Sequence, residues 1–229
     1  MKKLAGIILS VVFVFLLTAC HAGVSQAEYE EPIELIPDDV YDSFDDAIID
    51  DEPCPFERQG ELTHIVIHFI SNVIENPLNP FIIEDIHRIF RDYGVSAHYL
   101  IDRDGTIHPV VPENHVAFHA GAGSLADFPD YENNLNQHSI GIELLGIGTQ
   151  EEMSQFITAA EYNALDPALI GFTDAQYDAL NWLLNDILAR HPMIQPNRTH
   201  IIGHSEYAPD KPDPGVLLDW ERLDFMNTY

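Results

Sequence analysis

The segment LTHIVIHFI, residues 62–70, has the least ambiguous secondary structure in this chain. It is rich in β-branched residues and has polar segments on both sides, which is typical of a largely buried strand. Side chains alternate along a strand, so His64 and His68 are expected on one face and Ile65 and Ile67 on the other. The chain must therefore bury this strand, and its 229 residues suffice for one sizeable core but are too few to assume two.

An amphipathic helix is predicted over residues 80–93. Asn79 can cap it, Pro80 suits its first position and Gly94 can end it. Its apolar side chains form one stripe, made by Ile82, Ile83, Ile86, Ile89 and Phe90.

A longer amphipathic helix is predicted from Thr173 to Pro192. Thr173 and Gln176 make a capping box at its start. Apolar residues then recur at helical spacing, namely Tyr177, Leu180, Leu184, Ile187 and Leu188. A final helix is expected over GVLLDWERLDFM, residues 215–226.

Four further strands are predicted between and after these helices. SAHYLID and IHPVV flank the turn dipeptide Asp104-Gly105 and indicate a β-hairpin. In HSIGIELLG the alternation places the isoleucines on one face and Glu143 on the opposite face. RTHIIGH is a short strand that delivers His204 to the loop after it.

Strands that alternate with helices indicate one α/β domain, with a central mixed sheet flanked by helices. We place this domain at residues 62–229. Residues 147–171 show no clear period and are interpreted as a surface insertion that contains a short helix.

Residues 1–19 are interpreted as a signal peptide. A basic start, MKK, precedes an apolar stretch at residues 4–17 that is too short to span a bilayer comfortably. The following LTAC resembles a bacterial lipobox, in which the signal peptidase cuts before the cysteine and the thiol carries lipid. This predicts lipidation of Cys20, and the alternative is an ordinary secretory signal with an incidental cysteine.

Residues 20–61 are predicted to form an acidic, flexible tether. Acidic residues are dense between positions 28 and 52, and no Lys or Arg occurs between Lys3 and Arg58. Such a segment repels itself and stays solvated. Binding of a basic partner or of calcium is the alternative role for this segment.

The whole chain is strongly acidic. Its 10 Lys and Arg residues against 38 Asp and Glu residues give a formal charge of -28. A surface of this charge repels nucleic acid backbones and anionic membranes. We therefore expect no nucleic acid partner, and contact with a membrane only through the lipid.

The proline-rich loop GHSEYAPDKPDPG, residues 203–215, holds a histidine, a lysine and an aspartate: His204, Lys211 and Asp213. Catalytic zinc typically takes three protein ligands and keeps a fourth position for water. His204 and Asp213 could both face one ion. Spacing alone is a modest signal for such a site, because the chain has 12 histidines.

Six motifs occur in the order found in zinc-dependent N-acetylmuramoyl-L-alanine amidases, the family related to peptidoglycan-recognition proteins and phage T7 lysozyme. They are VIH, VSAHYLIDRDG, FHAG, SIGIEL, FTDAQYDAL and GHSEYAPDKPDPG. The resemblance extends from about residue 62 to about residue 220, and six motifs in order are more specific than any one alone. It implies the mixed-sheet fold of that family.

The resemblance also implies roles for five residues. The family's zinc ligands match His68, His204 and Asp213, which implies one zinc per chain. Its catalytic glutamate matches Glu143, which would take a proton from water, and its lysine matches Lys211, which with zinc would stabilise an oxyanion. The implied reaction is hydrolysis of the amide between the lactyl group of N-acetylmuramic acid and L-alanine.

Two features depart from the family pattern. Phe118 stands where the family often has tryptophan, which keeps an aromatic wall. The loop before the aspartate ligand is about one residue shorter than in close relatives, which affects the placement of Lys211. His119 is not a ligand in this pattern and either lines the substrate cleft with Phe118 or makes a structural hydrogen bond, while His64 and His98 are interpreted as sheet residues.

Together with the lipobox, these motifs resemble a lipoprotein-type amidase. The resemblance implies a monomer that acts on peptidoglycan or muropeptides and is anchored in the bacterial cell envelope. His21 after the lipidated cysteine favours the outer membrane, facing the periplasm. Two rival functions are a zinc-free recognition module that binds the wall without cutting it, and an envelope scaffold that acts through the acidic tether.

Overall fold

The centre of the fold is a five-stranded mixed sheet. A computed structural model describes residues 57–227, so the predicted signal peptide, Cys20 and most of the tether lie outside the described residues. The strands are β1 His64–Ile70, β2 Tyr99–Ile101, β3 Ile107–Pro109, β4 Ser139–Leu145 and β5 Ile201–Gly203. Their order is β3-β2-β4-β1-β5, and only the β2–β3 hairpin is antiparallel. The predicted α/β class and mixed sheet are confirmed.

Helices cover both faces of this sheet. They are α1 Ile83–Tyr93, α2 Ala159–Asn163, α3 Asp174–Arg190 and the single turn α4 His204–Tyr207. Ile65 and Ile67 of β1 pack in the main core cluster with α3. The opposite face packs against α1 through Ile86 and Phe90. β1 is therefore an interior strand of the sheet, and it is largely buried, as its sequence predicts.

Helix α1 begins three residues later than predicted. Ile82, not Asn79, is the N-cap, and it has extended backbone angles without a side-chain cap. The reason is that the carbonyl of Pro80 accepts the Asn72 amide at 2.7 Å, so this residue belongs to the preceding turn. The predicted end is correct, because Gly94 has a φ of 63°, in the left-handed region that glycine adopts at low cost.

Helix α3 begins as predicted, because Thr173 and Gln176 form the capping box. The predicted final helix is wrong. Residues 215–226 contain instead two 3₁₀ turns, Trp220–Arg222 and Asp224–Asn227.

Side chains of α3 take the backbone amides that a final helix would have used. The Asp219 amide donates to the Tyr177 hydroxyl at 2.8 Å, and the Asp224 amide donates to Asn181 Oδ1 at 2.8 Å. Tertiary hydrogen bonds thus replace the i→i−4 bonds of a helix.

Residues 147–171 form a compact insertion around α2. Four of its buried side chains, Ile147, Met153, Ile157 and Leu165, form an apolar cluster with Val73 from the segment after β1. The insertion thus packs onto the rest of the domain through a separate small cluster. Over residues 57–227, no helix is both long enough and apolar enough to span a bilayer.

The folded body includes residues 57–61, which were predicted to belong to the tether. Glu57 bridges to His115, and the Arg58 guanidinium donates to the carbonyls of Glu113, Asn136, His115 and Ser139 at 2.8–3.2 Å. Composition alone could not reveal these contacts, because they are made by one arginine in an otherwise acidic segment.

Candidate metal centre and active site

His68 and His204 come together because their strands are neighbours. His68 lies near the carboxyl end of β1, and His204 directly follows the parallel strand β5. Asp213 reaches the same place from the loop after α4. One ligand atom from each of the three residues lies within 4.8 Å of the others, and all three are buried. The structure therefore assembles the complete predicted ligand set.

The hydrogen bond made by His204 Nε2 shows that Nδ1 is the nitrogen that faces this centre. His204 Nε2 lies 3.0 Å from the carbonyl oxygen of Ala120. A carbonyl can only accept, so Nε2 carries a proton, and Nδ1 is the nitrogen left to offer a lone pair to a metal. His204 Nδ1 lies 3.0 Å from Asp213 Oδ2, and His68 Nδ1 lies 2.7 Å from the same oxygen.

Asp213 is an anionic group between two imidazoles. Burial on its own raises the pKa of Asp213, but the adjoining His204 and His68 outweigh burial and hold this pKa below its usual value. Burial and His204 lower the pKa of His68, which favours its neutral form. Two neutral imidazole nitrogens and one carboxylate form a donor set that suits a divalent transition metal.

Glu143 lies beside this centre in the sheet. In the parallel register of β4 and β1 it is the partner of His68, and paired residues of neighbouring strands point to the same face. Glu143 is buried, and its Oε2 has no hydrogen-bond partner among residues 57–227. Burial, with a contribution from Asp213, raises the pKa of Glu143 well above its usual value. A buried carboxyl group with an unused oxygen and a raised pKa is typical of a catalytic acid or base.

Lys211 lies two residues before Asp213 on the loop that follows α4, which we call the metal-ligand loop. Its side chain is exposed, and its backbone amide donates to the Ala208 carbonyl at 2.9 Å. The loop itself is tied down, because the Ser205 amide donates to the Asp213 carbonyl at 2.9 Å. The structure thus places Lys211 on the metal-ligand loop, at the surface.

His119 is buried against a ligand. Its Nδ1 lies 3.0 Å from His68 Nε2, and its Nε2 lies 3.2 Å from Ser139 Oγ. Of the two roles considered for His119, these contacts match the structural hydrogen bond. Phe118 is half-buried, and its backbone amide donates to Ser96 Oγ at 3.0 Å.

Periodicity did not draw attention to Ser139 and Asn136, which contact the His119 segment. The Asn136 side chain accepts the backbone amides of His119 and Ala120. The one available signal for Ser139 was the strand period of two, because Ser139, Gly141 and Glu143 must share a face of β4.

His64 and His98, which were interpreted as sheet residues, lie outside the group formed by His68, His204 and Asp213. His64 begins β1, at the opposite end from His68. His98 Nδ1 accepts the Gly141 amide at 2.9 Å, and its Nε2 lies 2.9 Å from Arg58. Burial and the adjacent Arg58 lower the pKa of His98 to about 3, so this ring is neutral.

Comparisons with known proteins agree on one family. Residues 58–216 match the family model described as N-acetylmuramoyl-L-alanine amidase. The chain is 35% identical over 154 residues to the 1,6-anhydro-N-acetylmuramyl-L-alanine amidase AmpD of Salmonella typhimurium, an alignment that covers 67% of this chain and 65% of that protein. The chain thus spans just under two thirds of this relative's length.

Two solved structures are similar to this one. A crystal structure of a selenomethionine derivative of AmpD has a TM-score of 0.52 and 31% identity, covering 76% of this chain and 89% of that one. A complex of Escherichia coli AmiD with the substrate anhydro-N-acetylmuramic acid-L-Ala-D-γ-Glu-L-Lys has a TM-score of 0.51 and 27% identity, covering 74% and 59%. Because the family model matches residues 58–216, well over half of the sequence, this chain belongs to the N-acetylmuramoyl-L-alanine amidase family.

Proposed function

We propose that this chain is a zinc-dependent amidase that cleaves the bond between N-acetylmuramic acid and the L-alanine of the stem peptide. The observation that carries the proposal is the convergence of His68, His204 and Asp213 next to Glu143. A recognition module that only binds the wall would not need a buried carboxyl group beside a complete set of metal ligands.

The residues of the chain supply the proton transfers. Bound zinc would provide Lewis-acid activation of water and of the amide carbonyl. Glu143 takes a proton from the attacking water and delivers it to the leaving amine. It must be ionised to do so. Burial and, after it, repulsion from Asp213 raise the pKa of Glu143, and a cation held beside Asp213 would offset the repulsion. Lys211, on the metal-ligand loop, supplies positive charge to the oxyanion.

Metal analysis combined with amine release tests this function. We expect about one zinc per chain, loss of muropeptide hydrolysis on chelation and recovery on adding zinc. Full activity of a metal-free preparation would contradict the mechanism. Tight binding of muropeptides without release of the amine would identify the rival recognition module.

The substrate class follows from the same relatives. Since AmpD and AmiD are named for or crystallised with anhydro-muropeptides, soluble anhydro-muropeptides are the first substrates to assay, with intact peptidoglycan as the comparison. We also propose that the chain acts as a monomer, which sedimentation of the purified body would test.

We further propose that Cys20 carries lipid and anchors the enzyme in the bacterial cell envelope, at the outer membrane and facing the periplasm. The lipobox-like LTAC and the following His21 support this location. Cys20→Ser should move the protein out of the membrane fraction while leaving hydrolysis of soluble substrate intact. If this variant remains membrane-bound, Cys20 is not the anchor.

A further inference from the structure

The dipeptide His119–Ala120 contacts both ligand histidines on the side away from the metal centre. The Ala120 carbonyl accepts a hydrogen bond from His204 Nε2 at 3.0 Å. His119 Nδ1 lies 3.0 Å from His68 Nε2. The segment thus contacts Nε2 of both His68 and His204, whereas Nδ1 of each ring faces Asp213.

The direction of the hydrogen bond between His119 and His68 follows from its surroundings. Ser139 Oγ lies 2.8 Å from the Leu135 carbonyl, which can only accept. The single hydroxyl proton of Ser139 is therefore used on Leu135. Ser139 Oγ must in turn accept a proton from His119 Nε2, which lies 3.2 Å away.

This assignment determines the tautomers of two histidines. His119 is buried, and neither hydrogen-bond partner of its ring is a carboxylate, so a charged ring would lack a counter-ion and the neutral ring is favoured. A neutral ring with its proton on Nε2 has a bare Nδ1, which accepts from His68 Nε2. His68 then has its own lone pair on Nδ1, facing Asp213.

The His119–Ala120 segment is itself fixed in place. Asn136 Oδ1 accepts the backbone amides of both residues, at 3.1 Å and 2.8 Å. The His119 ring lies so close to β4 that a Cβ at Gly141 would come within 2.5 Å of it. Any side chain at position 141 would displace the ring.

We propose that His119 and Ala120, held by Asn136 and Ser139, are positioning residues that keep both ligand histidines in the tautomer with a free Nδ1. The proposal rests on the zinc-dependent function proposed above. It assigns to the FHAG motif a role in metal affinity rather than in contact with substrate. Partners that orient ligand histidines typically change metal affinity by about 10- to 100-fold when they are removed.

Zinc affinity, measured by competition with a chelator, separates this role from a purely structural one. His119→Phe keeps an aromatic ring but removes the acceptor, and we expect the dissociation constant for zinc to rise by about 10- to 100-fold. His119→Asn places an amide oxygen near the position of Nδ1, so we expect most of this affinity to be retained. His64→Phe replaces a buried histidine remote from the ligands and should leave the affinity unchanged.

The thermal midpoint of each metal-free variant serves as the control for folding. Equal zinc affinity in His119→Phe and the parent, with the parent binding zinc tightly, would overturn the positioning role while leaving the proposed function intact. A parent that binds no zinc would overturn the proposed function and this inference with it. Equal losses in the Phe and Asn variants would mean that bulk, not the acceptor, matters, and would also overturn the role.

Histidine ¹⁵N NMR of the parent protein gives a test that needs no substitution at position 119. We expect the proton of His119 on Nε2, and those of His68 and His204 on Nε2 in the zinc-loaded protein. Ser139→Ala should weaken the preference of His119 for this tautomer. A proton on Nδ1 of His119 in the parent would reverse the hydrogen bond to His68 and refute the proposal.

Discussion

At the scale of single residues, Glu143 combines a poor environment for a charge with a position beside the metal ligands. Glu143→Ala should retain zinc and substrate affinity but lower kcat by about 10² to 10⁴, the usual contribution of a positioned proton transfer. Because Oε2 has no partner among the described residues, Glu143→Gln should leave the thermal midpoint of the metal-free protein unchanged or raised. Kinetics, zinc content and calorimetry on the same preparations measure these effects.

A Glu143→Ala variant that is as fast as the parent, with zinc and fold confirmed, would make this glutamate a structural residue. The Gln variant is the matched control, because it keeps the volume and removes only the titratable group.

Lys211 is exposed, so its contribution should be seen in turnover rather than in stability. Lys211→Ala should lower kcat by about 10² if the ammonium group stabilises the oxyanion. Its thermal midpoint should stay close to that of the parent, since surface substitutions typically change stability by about 0.5 kcal/mol or less. Asp210→Ala, at the exposed neighbouring residue, is the control, and equal kcat values for both variants would exclude Lys211 from the reaction.

Residue spacing alone could not have identified the metal centre. His68 and Asp213 are 145 positions apart, and the sequence connects them only through the family resemblance. Asn136 was out of reach, because its role depends on hydrogen bonds between loops, for which a single sequence carries no period; for Ser139 the strand period indicated only the face that it shares with Glu143.

At the scale of elements, the insertion at residues 147–171 supports the metal-ligand loop. Glu152 Oε1 accepts the Val216 amide at 2.7 Å, while Oε2 accepts the Thr149 amide and hydroxyl. The insertion is therefore attached to the chain three residues beyond Asp213, a contact that no sequence pattern predicts.

Removal of this link should weaken both the fold and the metal site. Glu152→Ala should lower the free energy of unfolding by about 1–3 kcal/mol, because it leaves backbone and hydroxyl donors without an acceptor. We also expect a higher zinc dissociation constant. Urea unfolding and chelator competition measure the two effects, and Glu151→Ala is the charge-matched control. If zinc affinity stays at the parent value, the insertion does not support the loop.

The elements that sequence patterns predicted well are those stabilised by their own residues. The capping box of α3 and the apolar run of β1 are local, and both were found. The start of α1 and the last helix were not, since Asn72 and the side chains of α3 take the backbone groups that a helix would have used. Tertiary partners, which have no local signature, decided those two cases.

At the scale of the whole molecule, Arg58 ties the first described residues to the body. Its guanidinium satisfies carbonyls from two segments and contacts His98. Arg58→Ala in a chain that starts at residue 57 should lower the free energy of unfolding by about 2 kcal/mol or more, since hydrogen bonds to charged groups contribute about 1.5–3 kcal/mol each. Gln59→Ala, at an exposed neighbour, should have little effect.

Thermal unfolding of these two variants decides where the folded body begins. Equal midpoints would show that residues 57–61 are dispensable and that the body begins near Leu62, the boundary expected from composition.

The order of strands in the sheet also governs how the chain can be made. Of the described strands, β1 leaves the ribosome first, yet its neighbours β4 and β5 begin only at Ser139 and Ile201. Pairing over such separations is slow, and an apolar strand that waits without partners is prone to aggregate. Because His204 follows β5, a nascent chain cannot assemble the candidate metal centre until β5 has been synthesised, so a metal held there could not stabilise any earlier intermediate.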